Sequence, residues 1–337
     1  MTPMRATAFA PATTSNLAVG FDILGHPVGP TGDRVTVRRM DAPGVVIGAV
    51  GGCAGPLPMD AGANTAGAAI LRLLADNAPE LGVEVSIDKG IPLGSGIGGS
   101  AASAVAAVVA ANALLPVPLP LEALFPYALA GEAIASGAVH GDNVAPSLYG
   151  GLVLVRSTDP ADVVRLPAPP SLRCVMVLPR QRLDTRAARA VLPASIPLHD
   201  VIVQSANLAG VIAGCFTDDL ALIGRSMRDV VVEPHRAALI PGFGAVKAAA
   251  MDAGALGCSI SGAGPSVFAW CGGDETAQRA RVAMRTGSSP TSALTSTMCG
   301  RRPTWSSRAT ASWCASSTTA GRSPRAIPPI RTARRAV

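Results

Sequence analysis

A chain of 337 residues has ample length for two domains. Its seven cysteines, odd in number and without a C-x-x-C pair, exclude a disulfide framework and a zinc knuckle. The net charge of +6 does not mark a nucleic-acid surface on the main body: residues 275–337 hold eleven arginines and one acid, Glu275, for a net of +10, leaving −4 on residues 1–274.

In chain order, the first segment, MTPMRATAFAPATTSNL, lacks a basic end followed by an apolar core, so no secretory signal is read there. "DRVTVRR" (33–39) and "VEVSI" (83–87) alternate as strands, and "NTAGAAILRLLADN" (64–77) has helical spacing. The apolar run Ala101 to Leu115 is broken by Ser103 and Asn112 and falls short of the roughly twenty residues that span a bilayer. A soluble cytoplasmic protein is expected, with no membrane or nucleic-acid partner. "LYGGLVLV" (148–155) reads as a strand, "LPAPPS" (166–171) as a linker and "LRCVMVLP" (172–179) as a further strand. A long helical region from about His199 is stopped by "EPHRAALIPGF", and "SVFAW" (266–270) is a strand after a glycine turn.

After about Ala283 the style changes to Ser, Thr, Arg and Pro with no sustained period, a composition that buries too little apolar surface to fold. Two lysines against 26 arginines in the whole chain point to a GC-rich gene, whose out-of-frame codons tend to give Arg, Ser, Pro, Thr and Ala. A stretch read in a shifted frame is therefore preferred to a disordered basic tail.

The most informative stretch is "PLGSGIGGSAAS" (92–103). Glycines let backbone N–H groups approach an anion, and the following helix N-terminus adds free donors and a partial positive charge. Gly94, Gly96 and Gly99 fit the dinucleotide pattern G-x-G-x-x-G, but six residues, DKGIPL, separate the strand from Gly94. The first acid downstream, Glu122, sits in a helical stretch, and no G-x-x-x-x-G-K-[ST] is present. A phosphate cradle of another kind remains, beside the plain alternative of a turn.

Two partners strengthen the cradle: "PATTSNLAVGFDILG" (11–25) and "SGAGPS" (261–266). Together the three segments resemble the three motifs of the GHMP kinases, whose central motif reads P-x-G-x-G-L-G-S-S-A-A. "HGDNVAPSLYGG" (140–151), "DTRAARAVLP" (184–193), "EPHRAALIPGF" (233–243) and "GALGCSISGAGPSVFA" (254–269) extend the resemblance, in order and spacing, to the branch of that family that phosphorylates L-homoserine. The resemblance covers roughly residues 5–285. It implies an α+β, two-domain fold, with an N-terminal domain (1–165) like ribosomal protein S5 domain 2 and a ferredoxin-like C-terminal domain (171–284). The tail (285–337) is expected not to complete the second domain.

The resemblance also implies roles. ATP would lie on Pro92, Leu93, Gly94, Ser95, Gly96, Ile97, Gly98, Gly99, Ser100, Ala101 and Ala102, with Asn64 near the adenine; helix capping is the ordinary role for such an asparagine. Ser100 and Glu132 would hold Mg²⁺, a hard cation suited to few protein oxygens; without the motif Glu132 reads as a solvated helix acid. The acceptor carboxylate would meet Arg189 and Arg236, whose planar forks suit bidentate pairing. Asp22 and Asp142 would neutralise its ammonium, and Asn16, His140, Thr185 and Gly262 would complete the pocket. Asn143 stands where other members carry a general-base aspartate. An amide takes no proton, so direct in-line attack with Asn143 orienting the hydroxyl is implied. The four histidines lack metal-ligand spacing, so no zinc is expected. A homodimer is left open.

Departures from the family pattern are specific. Gly99 replaces the first serine of the usual Ser-Ser pair, and "TTSNLAVGFD" replaces T-S-A-N-L-G-P-G-F-D while keeping Asn16, Gly20 and Asp22. Nothing after about Met284 matches. Another small-molecule acceptor, or a kinase inactivated by its tail, are the alternatives.

Overall fold

A computed structural model describes residues 3–53, 55–137, 139–286, 291–297 and 305–306. The first lobe is a mixed sheet with helices on one side. Strands β1 (Arg5–Asn16), β2 (Gly20–Met40), β3 (Gly44–Gly52) and β4 (Gly82–Lys89) lie in the order β1-β2-β4-β3, with only β3 and β4 parallel to each other. Helix α1 (Thr65–Asn77) connects β3 to β4.

After β4 come α2 (Gly99–Asn112), α3 (Phe125–Ser136) and α4 (Val144–Tyr149), then β5 (Leu152–Thr158) and β6 (Ala161–Leu166), which extend the sheet from the start of β2. α2 is Ala- and Val-rich with no charged residue, and every position from Ala101 to Ala111 is buried. A helix apolar on all faces must lie inside. It is wedged among the sheet, α1 and α3, which fixes the glycine loop at its N-terminus.

The second lobe comprises β7 (Arg173–Pro179), α5 (Thr185–Ala190), α6 (Leu198–Thr217), α7 (Leu220–Ser226), α8 (Glu233–Arg236), α9 (Phe243–Asp252), β8 (Gly257–Ile260), β9 (Val267–Cys271), α10 (Asp274–Thr286) and β10 (Thr291–Thr297). Its antiparallel sheet runs β10-β7-β9-β8. Helix α6 has the length and composition of a membrane span, yet it packs along α7, where Gly210 and Gly214 admit Ser226 and Ile223.

Strand alternation explains how the lobes join. Cys174, Met176 and Leu178 of β7 with Phe268 and Trp270 of β9 belong to one core continuous with the first lobe. Val175, Val177, Val267, Ala269 and Cys271 face the opposite way, onto Phe243, Val246, Ala277, Ala280 and Met284. At the seam the Trp270 indole N–H donates to His26 Nε2 (3.1 Å), and His26 Nδ1–H donates to the Pro27 carbonyl (2.9 Å). Burial therefore holds His26 neutral and lowers its pKa to about 4.

Part of the segment 285–337 takes strand structure. Residues 291–297 pair with β7 from Thr291↔Pro179 to Thr297↔Arg173, and β11 (Trp305–Ser306) pairs with β1. Backbone pairing on an open sheet edge asks little of the side chains, so Ser/Thr composition does not exclude it. The remaining reading of the tail, disordered or frame-shifted, lies outside the described residues.

Candidate active site

Three chain segments converge at the seam of the lobes. The glycine loop takes left-handed conformations at Gly94, Gly96 and Gly98 (φ +64°, +75° and +67°), and Gly98 leads into α2 with no side-chain cap on its first N–H groups. A methyl group on Gly96 would lie 2.4 Å from the Gly264 carbonyl oxygen and 2.8 Å from that of Ser261. Those positions require glycine for both conformation and space.

Across the seam, Ser261 Oγ donates to the Gly96 carbonyl (2.8 Å), Ser266 Oγ to that of Ser95 (2.5 Å) and Leu183 N–H to that of Gly94 (3.0 Å). The N-terminal segment joins through Thr13 N–H to the Ile97 carbonyl (3.1 Å) and Gly262 N–H to the Ser15 carbonyl (3.3 Å).

Beneath the loop, Lys89 is buried with Asp33: its ammonium donates to the Asp33 carboxylate, to the Gly99 carbonyl (2.7 Å) and to Ser103 Oγ (2.9 Å). Asp33 also accepts from the N–H groups of Gly90 and Ile91, both at 3.1 Å. A buried pair with its remaining hydrogen-bonding capacity filled holds the end of β4 to the first turn of α2.

The segments enclose a cleft of about 290 Å³. Pro92, Leu93, Gly94, Ser95, Gly96, Gly98, Gly99 and Ser100 line one end, with Glu132 beside Ser100. Asn16, Asp22, His140, Thr185, Arg189, Arg236 and Gly262 line the other, with Asp142 and Asn143 between the two ends.

Four expected residues do not line it. Ile97, Ala101 and Ala102 have their side chains in the core. Asn64, expected near the adenine, is outside the lining: Asn64 Oδ1 accepts from the N–H groups of Ala66 and Gly67 at the start of α1, while its amide donates to the Pro58 carbonyl. That side chain is consumed by helix capping, and Thr65 beside it lines the cleft.

Conversely, Ser15, Lys89, Ser103, Arg182 and Asp184 line the cleft without having been picked from sequence. Lys89, one of two lysines, precedes the glycine loop and carried a usable signal.

The electrostatics divide along the cleft. At the glycine-loop end Glu132 is buried, which pushes its pKa up to about 7 against the hydrogen bond from Ser100. Asp142 is likewise raised to about 7 by burial and by the charge of Asp22, with Ser15 hydrogen-bonding to it. Asn143 is fixed on both sides: Thr13 Oγ1 donates to its Oδ1 (2.8 Å) and its Nδ2 donates to Ser15 Oγ (2.9 Å).

At the far end, Arg236 is buried and donates to the carbonyls of Ala188 (2.9 Å) and Gly262 (3.0 Å). Burial and the neighbouring Arg189 lower its pKa. His140 Nδ1 lies 3.6 Å from Asp22 Oδ2, and its buried Nε2 has no hydrogen-bond partner. Burial lowers the His140 pKa, which leaves a neutral imidazole facing the cleft.

Family comparisons agree with this geometry. The model of the GHMP kinases N terminal domain matches residues 64–151 and that of the GHMP kinases C terminal domain matches 211–288. The chain belongs to the GHMP kinases. Within that family its similarity is to homoserine kinases. It is 52% identical over 284 residues to "Homoserine kinase" of Xylella fastidiosa (strain M12), covering 84% of this chain and 87% of that protein. It is 44% identical over 290 residues to the enzyme of the same name from Chlorobaculum tepidum, covering 83% and 89%. The crystal structure of homoserine kinase from Cytophaga hutchinsonii superposes with a TM-score of 0.87 at 46% identity, covering 90% of this chain and 98% of that one.

Proposed function

We propose that the cleft transfers the γ-phosphoryl group of ATP to the hydroxyl of L-homoserine, giving ADP and O-phospho-L-homoserine in the course of threonine biosynthesis. The observation that carries the reading is the juxtaposition, in one cleft, of an uncapped glycine-loop helix start with an acceptor end made of paired arginines and carboxylates. A zwitterion bearing a hydroxyl matches that second end group for group, whereas a neutral sugar has no charged group to pair with its arginines and carboxylates.

The backbone donors of residues 94–100 bind and orient the triphosphate. Ser100 and Glu132 fit a magnesium ion: both offer hard oxygens, and they are hydrogen-bonded to each other at the phosphate end of the cleft. Bound there, the ion would neutralise charge on the phosphates. At the acceptor end Arg189 and Arg236 hold the substrate carboxylate, and Asp22 and Asp142 the ammonium.

Asn143, its rotation blocked by Thr13 and Ser15, orients the hydroxyl toward the γ-phosphorus. The hydroxyl oxygen attacks in line and the bond from phosphorus to the β–γ bridging oxygen breaks. The hydroxyl proton passes to a phosphoryl oxygen or to solvent. Positioning accounts for most of the rate in this reaction class.

A panel of L-homoserine, mevalonate and galactose with MgATP, followed by ADP release, tests the reading. Turnover of L-homoserine alone is expected. Turnover of another acceptor with none of L-homoserine would overturn it.

A further inference from the structure

Residues 16–22 turn sharply between β1 and β2 through a run that side chains rarely adopt: Asn16, Leu17, Ala18 and Asp22 have φ of +69°, +46°, +65° and +63°. Such strain persists only where the surroundings hold it. Here Asn16 Oδ1 accepts from the Asp22 N–H (3.0 Å) while Asn16 Nδ2 donates to the Gly262 carbonyl of the opposite lobe (2.8 Å).

Phe21, the second residue of β2, follows the turn directly and is half-buried. The guanidinium carbon of Arg189 lies 5.2 Å from the Phe21 ring centroid and that of Arg236 lies 5.1 Å from it. Two like charges from different helices, α5 and α8, thus meet over one aromatic ring. Their mutual repulsion is one reason the Arg236 pKa is lowered. The ring's negative face offsets that repulsion without offering a hydrogen-bond acceptor that would compete with a ligand.

We infer that Phe21 is a positioning residue for the acceptor: its ring gathers the Arg189 and Arg236 guanidinium groups side by side at the acceptor end of the cleft. This rests on the reading of the cleft as a site for a hydroxy amino acid. The ring meets the two arginines of the acceptor end, so its influence is expected on acceptor binding and not on the nucleotide.

Steady-state kinetics of the full chain test the role with Phe21→Leu, Phe21→Met and Phe21→Tyr, each also checked for its melting temperature. The aliphatic variants are expected to raise the KM for L-homoserine about tenfold, the scale of two weak cation–aromatic contacts. The KM for ATP should stay within about twofold, and Phe21→Tyr, which keeps the ring, should restore the acceptor KM.

An unchanged acceptor KM in a folded aliphatic variant overturns the inference. So does a joint rise of both KM values with no rescue by tyrosine, which marks general loosening. Should the unaltered chain leave L-homoserine untouched, the acceptor reading itself fails. The same comparison is then made on whichever carboxylate-bearing acceptor the unaltered chain phosphorylates, and an unchanged KM there overturns the role of Phe21.

Discussion

Asp22 and Arg189, 167 positions apart, are joined by a bidentate ion pair across the cleft, with Arg189 Nη2 at 2.9 Å from Oδ1 and 3.1 Å from Oδ2 and Nη1 at 3.1 Å from Oδ2. The two ends of the proposed acceptor site thus neutralise each other before substrate arrives. On the proposed reading a zwitterion would replace both partners at once, its carboxylate taking the arginine and its ammonium the aspartate. An acceptor carrying one charge would strand the other group.

Replacing either partner should therefore weaken L-homoserine binding selectively. Arg189→Ala or Asp22→Asn is expected to raise its KM roughly 10- to 100-fold, the scale of a charged hydrogen bond. The KM for ATP should remain near its original value. Parallel titration of both substrates reads the split.

Asn143 and Arg236 are expected to fail in different ways. Asn143→Ala removes the amide held by Thr13 and Ser15, which should lower kcat on the order of 100-fold with little change in acceptor affinity. Arg236→Leu should abolish calorimetrically detectable L-homoserine binding. A near-normal turnover of Asn143→Ala would remove its orienting role and leave the arginine clamp standing.

Two glycines separate space from strain. Gly96 and Gly151 both have positive φ (+75° and +77°), but nothing lies within 4 Å of a methyl on Gly151, whereas one on Gly96 meets carbonyl oxygens of the second lobe. Gly151→Ala should cost about 1 kcal/mol from backbone conformation alone. Gly96→Ala should cost several times more and raise the KM for ATP, as thermal unfolding and kinetics together would show.

The pH dependence of stability has two opposing sources. Glu132 and Asp142 have folded pKa values of about 7, above their ordinary 4.5 and 3.8, so the folded chain binds more protons than the unfolded one across that interval. Their burial cost is full above pH 7 and is relieved as pH falls toward 4. His26, at about 4 when folded against 6.5 otherwise, acts in reverse: its contribution is full above pH 6.5 and lost as pH falls to 4. Glu132→Gln should consequently stabilise the ligand-free chain by roughly 3 kcal/mol at pH 8. That gain should vanish near pH 4.5, as melting temperatures across the range would reveal.

The parts of the site legible in sequence are those where chemistry and geometry share a residue. Glycines at 94, 96 and 98 were conspicuous because their backbone conformations demand them, and Asn16 and Asp22 sit in a motif whose spacing mirrors a strained turn.

Less legible were residues whose role depends on a distant partner. Nothing local to Phe21 announces two arginines from α5 and α8, and nothing local to His26 announces Trp270, 244 positions away. Asn64 is ambiguous in sequence, since a helix-entry asparagine has the same local signature whether it caps or contacts a ligand, and the structure shows its capping bonds. Residues 291–297 pair with β7 although their composition carries no core-forming pattern, because an open edge recruits backbone before side chains.

The most direct test of the whole account is a crystal structure with L-homoserine and a non-hydrolysable ATP analogue. It is expected to place the triphosphate on residues 94–100, the substrate carboxylate on Arg189 and Arg236, the ammonium on Asp22, and the hydroxyl beside Asn143 facing the γ-phosphorus. A carboxylate held elsewhere with the Asp22–Arg189 pair intact, or a hydroxyl turned away from the γ-phosphate, would contradict it.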